Sequence, residues 1–165
     1  MTRPSMWLMT ALLALVPLAS VAQDLATSNV GVWKQTSLTR NDVATGRTSP
    51  FSGEQQAGYR VFTRGGHAFI FNVYHPRKRP AGPDPSDAER AELFKTSSSY
   101  TGTYRIEGNK VVIKVDGSWV ESWTGTERPF AIAINGNRMT MTTAPFRNAV
   151  DGQEVVLVST LERAE

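Results

Sequence analysis

Two side chains in this sequence could act as an acid or a base in a reaction. His67 follows the Gly65-Gly66 pair, and Glu127 lies in a Thr-Glu-Arg run. Imidazole titrates near neutral pH, and a carboxyl group does so when burial raises its pKa. Each residue also has an ordinary interpretation, since His67 can be solvated after a turn and Glu127 can pair on the surface with Arg128. The hypothesis that this protein is an enzyme therefore requires His67 or Glu127 to be buried beside a cavity.

The other reactive residue types do not predict a catalytic or metal site. The chain has two histidines and no cysteine, and two distant histidines without paired carboxylates do not predict a zinc site. The serines at 97–99 lack a histidine and aspartate pattern for nucleophilic catalysis. The basic run at 77–79 could attract an anionic head group or an anionic membrane, or could be a solvated loop. The sequence thus predicts no catalytic residue, no cofactor and no metal.

The first 22 residues are typical of a secretory signal peptide. Arg3 precedes an apolar run at 6–18, and small residues at 20–22 offer a cleavage site before Gln23. The apolar run is too short to span a bilayer comfortably, although an uncleaved anchor is the alternative. We expect one mature domain at 23–165, without a transmembrane segment, in the periplasm or outside the cell. Because it has no cysteine, a packed core must stabilise it.

The charge of the mature chain does not favour a nucleic-acid partner. Of 18 basic residues only Arg3 falls in the signal peptide, so 17 basic and 15 acidic residues remain. A nearly balanced charge that is mixed along the chain is typical of a solvated surface. Export argues in the same direction, and we expect no nucleic acid.

Alternating apolar residues and turn dipeptides predict an antiparallel sheet. The dipeptides Gly65-Gly66, Gly108-Asn109 and Asn135-Gly136 each separate two β-rich runs and so predict three hairpins. A loop at 41–56 contains Pro50, which we expect to break any strand pairing. Eight antiparallel strands can close into a barrel that holds one small ligand. The predicted strands are Val30–Arg40, Gly58–Arg64, His67–Tyr74, Tyr100–Glu107, Lys110–Asp116, Glu127–Ile134, Arg138–Thr143 and Glu154–Arg163, with one helix at Asp87–Lys95.

Alternation also predicts which side chains face the inside of this barrel. In the second strand Tyr59, Val61 and Thr63 are assigned to the interior, and Tyr104 in the fourth. Polar groups such as Thr63 and Tyr104 on that face favour a cavity over a filled interior. Residues 68–74 are apolar on both faces, so something must cover the outside, and the helix is the candidate.

Four motifs carry a resemblance to a known family. They are Gly31-x-Trp33, the run from Gly58 to His67, the run from Gly102 to Asn109 with the stretch 123–127, and the segment 137–145 with Leu161-Glu-Arg163. In this order and combination the chain resembles the bacterial lipocalin-like domain family, within the wider lipocalin and fatty-acid-binding-protein group. The resemblance implies a closed barrel that holds a small apolar molecule. It also implies structural roles for Gly31, Trp33 and Arg163, with Arg163 covering the Trp33 indole. Many secreted lipocalins carry a disulfide, and this chain cannot.

The leading hypothesis is an exported, non-enzymatic carrier of one small hydrophobic molecule. The alternatives are a small barrel enzyme of isomerase or cyclase type, and a filled barrel that serves as a structural or interaction module. A large exposed apolar patch would favour the last of these. The residues predicted to line the ligand site are Tyr59, Val61, Phe71, Tyr104, Ile113, Trp119, Phe130, Ile132 and Met141.

Overall fold

The computed structural model describes residues 25–51, 56–74, 76–148 and 151–165. The predicted signal peptide at 1–22 lies outside these residues. Among the described residues, no helix has the length and apolar character needed to cross a membrane. The elements are β1 Gly31–Asp42, β2 Thr48–Pro50, β3 Gln56–Phe62, β4 His67–Tyr74, α1 Asp87–Lys95, β5 Ser97–Glu107, β6 Lys110–Ser118, a 3-10 turn Glu121–Trp123, β7 Glu127–Asn135, β8 Arg138–Thr143, β9 Phe146–Arg147 and β10 Glu154–Arg163.

Eight of these strands close into an antiparallel barrel, as predicted. The order around the barrel is β1-β3-β4-β5-β6-β7-β8-β10, and β10 pairs again with β1. The closing register runs from Trp33 opposite Arg163 to Asp42 opposite Val155, with a bulge after Gln35. Without closure, β1 and β10 would be the edges of the sheet. Their pairing completes the hydrogen-bond network, which helps to stabilise a chain that has no disulfides.

The predicted hairpins form, although the turn between β7 and β8 consists of Gly136 and Asn137, one residue later than the predicted dipeptide. Glu107 pairs with Lys110 and Asn135 pairs with Arg138. Gly108 and Gly136 have φ angles of +59° and +57°, a left-handed conformation that glycine adopts without steric cost. These turns fix the register of the two hairpins and therefore which side chains point inward.

The loop after β1 corrects one expectation. Pro50 does not exclude pairing, because it ends the short strand β2 and lies opposite Thr39 of β1. Because β2 lies at the outer edge of the sheet, no further strand needs a hydrogen bond from the backbone nitrogen of Pro50, which has no hydrogen to donate. Helix α1 begins as predicted, since Ser86 caps it and forms a reciprocal capping box with Glu89.

One end of the barrel is closed by its two terminal strands and the segment before β1. The Arg163 guanidinium lies 4.1 Å above the centre of the Trp33 ring and donates to the carbonyls of Val30 at 2.8 Å and Ser28 at 2.6 Å. Trp33 is fully buried, and its Nε1 donates to the Asn29 carbonyl at 2.8 Å. A Cβ on Gly31 would lie 2.7 Å from the backbone carbonyl oxygen of Glu165 and from Arg163 Nη1, so glycine lets the C-terminal segment approach this closely.

Candidate functional site

The inward face of the barrel carries an apolar core. Its members share nearly complete burial and alternate with outward side chains along their strands. Because they pack against one another beside Trp33, this region of the interior is filled by protein side chains rather than left as a cavity. The buried members are Trp33, Phe62, Ala68, Ile70, Tyr100, Val111, Ile113, Val115, Ile132, Met139, Met141 and Leu161.

A second set of inward side chains is polar, and we call it the interior polar cluster: Gln35, Arg60, Asn72, Tyr74, Ser98, Tyr100 and Arg128. Arg60 lies two residues before the buried Phe62 and so on the same face of β3. Its side chain therefore enters the barrel, and only 6% of the residue is exposed. Its Nη2 donates to Gln35 Oε1 at 2.8 Å. Its Nη1 donates to the carbonyls of Tyr59 at 3.1 Å and Phe71 at 3.4 Å.

Space for the Arg60 guanidinium comes from a glycine. Gly58 is the next inward position of β3, and a Cβ there would lie 2.8 Å from the Phe71 carbonyl and 3.1 Å from Asn72 Oδ1. The same Cβ would be 3.5 Å from Arg60 Nη1. A larger residue at 58 would therefore crowd the strand backbone and the polar cluster together.

Arg128 provides the second cation of the cluster. It shares one face of β7 with Phe130 and the buried Ile132, and so it faces inward. Its guanidinium lies 4.0 Å from the centre of the Trp123 ring and 5.5 Å from that of Tyr100. The buried Nε of Arg128 has no hydrogen-bond partner within the described part of the chain. Stacking on two rings orients the guanidinium but leaves this donor free.

The hydroxyls of the cluster form a short network. Asn72 Nδ2 donates to Ser98 Oγ at 3.1 Å, and the Tyr74 hydroxyl lies 2.8 Å from the same Ser98 oxygen. Burial raises the pKa of Tyr100, while the charges of Arg60 and Arg128 act in the opposite direction. Tyr100 therefore stays protonated at neutral pH and keeps a hydroxyl proton to donate.

The two cations are not neutralised by the carboxylates that the structure describes. Neither guanidinium lies within ion-pair distance of a described aspartate or glutamate. Burial lowers the pKa of Arg60, but a guanidinium remains protonated in proteins. The interior polar cluster is therefore a positively charged region whose two cations are buried at Arg60 and partly buried at Arg128.

A pocket of about 300 Å³ opens beside Arg128, and we call it the mouth pocket. It lies at the end of the barrel where β8 ends and β7 begins. Its walls are mainly apolar, so an apolar molecule placed there would lose contact with water and meet the guanidinium at the same time. The lining residues are Trp123, Glu127, Arg128, Pro129, Phe130, Thr143, Ala144, Pro145, Phe146 and Leu157.

Of the nine predicted site residues, five face inward. Ile113, Ile132 and Met141 are buried within the apolar core, where their partners are other side chains. Tyr104 is half-buried, and its hydroxyl donates to the Thr63 carbonyl at 2.9 Å. That hydroxyl ties the turn before β4 to β5, so it does not indicate a polar cavity. Phe130 is half-buried and lines the mouth pocket.

The other four predicted site residues lie on the outside of the barrel, and the inward orientation predicted for Tyr59 and Val61 was wrong. Tyr59, Phe71 and Trp119 are 43–49% exposed. Val61 pairs with Phe69 on the same outer face. The error arose in β3, where we placed Tyr59 inward and the charged Arg60 outward, whereas the alternation in β4 left its inward face open. Whether any of the nine contacts a ligand stays a prediction.

The outer face of β3 and β4 is consequently aromatic. Tyr59 pairs with Phe71, and Val61 pairs with the half-exposed Phe69. Helix α1 does not cover this face as expected, because none of its residues is buried. It contacts the barrel in part through a stack of Phe94 on Trp119, with ring centres 4.9 Å apart.

The residues that suggested acid–base chemistry lie on the surface. His67 is exposed. Glu127 is half-exposed and pairs with Arg105 at 2.6 and 3.0 Å rather than with Arg128, and this hydrogen bonding lowers its pKa. Neither residue is buried beside a cavity, so neither supports the enzyme hypothesis. The described residues also contain no group of His, Cys, Asp and Glu side chains that could hold a metal ion.

Sequence reasoning missed Arg60 and Arg128. The signal for Arg128 was present, since residues 128, 130, 132 and 134 share one face by the same alternation that placed Phe130 inside. For Arg60 the signal was weaker. Its face includes Gly58 and Phe62, but the usual cost of burying a charge argued for the opposite assignment.

The sequence was compared with models of known protein families, and one family matches. Residues 30–163 match the model of a family described as a lipocalin-like domain. The match runs from the residue before β1 to the last residue of β10, so it includes every strand of the barrel. No curated protein and no solved structure gives a significant match. The chain belongs to the lipocalin-like domain family.

Proposed function

We propose that this protein is an exported carrier that binds one small hydrophobic molecule through the mouth pocket. The observation that carries the proposal is the mainly apolar pocket of about 300 Å³ between Phe130, Leu157 and Phe146 of the short strand β9. Small-molecule sites typically combine apolar walls with a few polar groups that orient the ligand. Here Arg128 is such a group.

The size of the pocket sets the scale of the binding energy. Burial of about 200 Å² of ligand apolar surface contributes about 5 kcal/mol at 25 cal/mol per Å². Association costs reduce this value, so affinity in the micromolar range requires further burial or a polar contact. The apolar core limits how deep a ligand can go, because Ile132 and Met141 already fill the interior below Phe130.

Export is the part of the proposal that rests on sequence. The charged start, the apolar run and the small residues before Gln23 support a cleaved signal peptide. N-terminal sequencing of the protein from the periplasmic fraction and the culture medium of its host tests this directly. We expect the mature chain to begin at Gln23, and a chain that retains residues 1–22 would contradict it.

Binding is tested with N-phenyl-1-naphthylamine, a neutral lipophilic dye that fluoresces in apolar surroundings. We expect saturable binding to the purified protein, with energy transfer from a tryptophan introduced by Phe130→Trp. Tyr104→Trp is the matched control, because Tyr104 lies at the closed end against Phe62, with ring centres 5.2 Å apart. Transfer from position 130 should exceed transfer from position 104. No saturable binding of the dye or of any lipid-like competitor would overturn the carrier function.

A further inference from the structure

The interior polar cluster indicates which class of hydrophobic molecule the barrel takes. We infer that the ligand is an amphiphile with an anionic head group, a carboxylate or a phosphate monoester, which is held by Arg128 and Arg60. This inference rests on the proposed carrier function and adds the chemistry of the head group. Its basis is the position, burial and missing counter-charge of the two guanidinium groups.

The first step of the argument is the cost of the cations. An ionised group that is removed from water is strongly unfavourable unless an opposite charge or several hydrogen bonds compensate it. Arg60 has the Gln35 oxygen and two carbonyls, which are neutral acceptors. Arg128 has two aromatic faces and a hydrogen bond with the Tyr100 side chain, which are also uncharged partners, and its Nε is unpartnered. An anion would offset a cost that the described residues leave uncompensated.

The second step is continuity between the cations and the mouth pocket. Arg128 lines the pocket, and its guanidinium lies 5.5 Å from the centre of the Tyr100 ring. Tyr100 pairs with Ile70 and Ile70 pairs with Arg60, so these three inward residues form one row across neighbouring strands. An acyl chain between Phe130 and Leu157 therefore places its head at Arg128, with Arg60 and the Tyr100 hydroxyl beyond it. Guanidinium forks match the oxygen geometry of carboxylates and phosphates.

The third step separates this site from the surface charges. The basic run at 77–79 is exposed at Lys78 and Arg79, and such charges attract anions only weakly at high salt. The buried cluster is screened much less. A preference for anionic ligands that persists at about 0.5 M NaCl must therefore come from the interior.

The experiment compares ligands that differ in the head group alone. Laurate, dodecyl phosphate and methyl laurate displace N-phenyl-1-naphthylamine from the purified protein at about 0.5 M NaCl, below their micelle-forming concentrations. We expect at least one anion to bind about tenfold or more tightly than the neutral ester. The ranking of laurate against dodecyl phosphate then identifies the head group.

Variants test which arginines cause the preference for anionic ligands. Arg128→Met and Arg60→Met should each reduce the anion-to-ester ratio by at least about fivefold, because each removes one charged partner, while methyl laurate binding changes less than about twofold. Arg138→Met is the matched control, since Arg138 is an exposed guanidinium with an ordinary ion pair to Glu162. It should leave the ratio unchanged.

The outcomes separate the two proposals. If the dye binds and all three ligands displace it equally, the anionic head group is refuted and the carrier function stands. A preference that the Arg60 and Arg128 variants retain would likewise refute the assignment. If neither the dye nor any of the three ligands binds, the carrier function fails, and the head-group inference fails with it. The wild-type comparison needs no variant, so a misfolded variant leaves the test intact.

Discussion

Removal of the Arg163 guanidinium tests how the barrel is closed. Arg163→Met keeps an unbranched apolar stem over the Trp33 ring but deletes the charge and both hydrogen bonds to the segment before β1. The stack over the indole contributes about 1–2 kcal/mol in a partly desolvated site. Each hydrogen bond from a charged group contributes about 1.5–3 kcal/mol. Because the three contacts share one side chain and do not add fully, we expect a loss of about 3–5 kcal/mol.

Urea unfolding followed by tryptophan fluorescence measures this loss. With a slope of about 2 kcal/mol per molar urea, the midpoint should fall by about 1.5–2.5 M. Arg163→Lys keeps the charge but cannot reach both carbonyls as a planar fork does, so its midpoint should lie between those of the wild type and Arg163→Met.

Arg138→Met is the control for this series. Arg138 is paired with Glu162 at 3.5 Å, and both side chains are more than half exposed. Surface pairs of this kind contribute about 1 kcal/mol or less. If Arg163→Met lowers stability no more than Arg138→Met does, the contacts of the Arg163 guanidinium with Trp33 and the segment before β1 do not stabilise the closed end.

Two further predictions concern the sheet and its surface charges. A Cβ on Gly102 would lie 1.9 Å from the Lys114 carbonyl oxygen, whereas one on Gly117 meets nothing within 4 Å. Gly102→Ala should therefore destabilise the protein by about 3 kcal/mol or prevent folding, and Gly117→Ala should change stability by less than about 1 kcal/mol; equal midpoints in urea would contradict this. The hydrogen bond from Arg40 lowers the pKa of Asp151, so the unfolded chain takes up this proton more readily than the folded one. The contribution of Asp151 is complete above the unfolded pKa of about 4 and is lost as the pH falls through the folded value. Asp151→Asn should therefore flatten the decline of the urea midpoint below about pH 5, and a decline parallel to that of the wild type would show that the ion pair is not responsible.

The strands and turns could be predicted because their signals are local. Asn135-Gly136 fixes one hairpin and the alternation of Phe130, Ile132 and Ile134 fixes its inward face, and both hold in the structure. Helix α1 begins where Ser86 and Glu89 form a capping box. Each of these signals lies within a few residues of the feature that it determines.

The inward face of β3 and β4 could not be assigned from local signals. Residues 68–74 are apolar on both faces, so the pattern alone does not choose between Ala68 and Phe69. The choice depends on Trp33 and Phe62, which already fill the interior next to β4. The small Ala68 fits beside them, and the larger Phe69 and Phe71 are left outside. This is a packing constraint between distant segments, which an alternation rule does not contain.

Arg60 and Arg128 show why the signals that predict the fold do not predict the binding site. The apolar core around Trp33 and Met139 is sufficient to specify a barrel, and nothing in that task calls for Arg60 in the interior. Buried charges without opposite charges reduce stability rather than add to it. A rule that places charges outside therefore fails where the interior also binds a ligand, and inward charges that have no opposite charge beside them are the residues to test for ligand binding. In this barrel the argument selects Arg60 and Arg128 over the aromatic residues that first suggested a ligand.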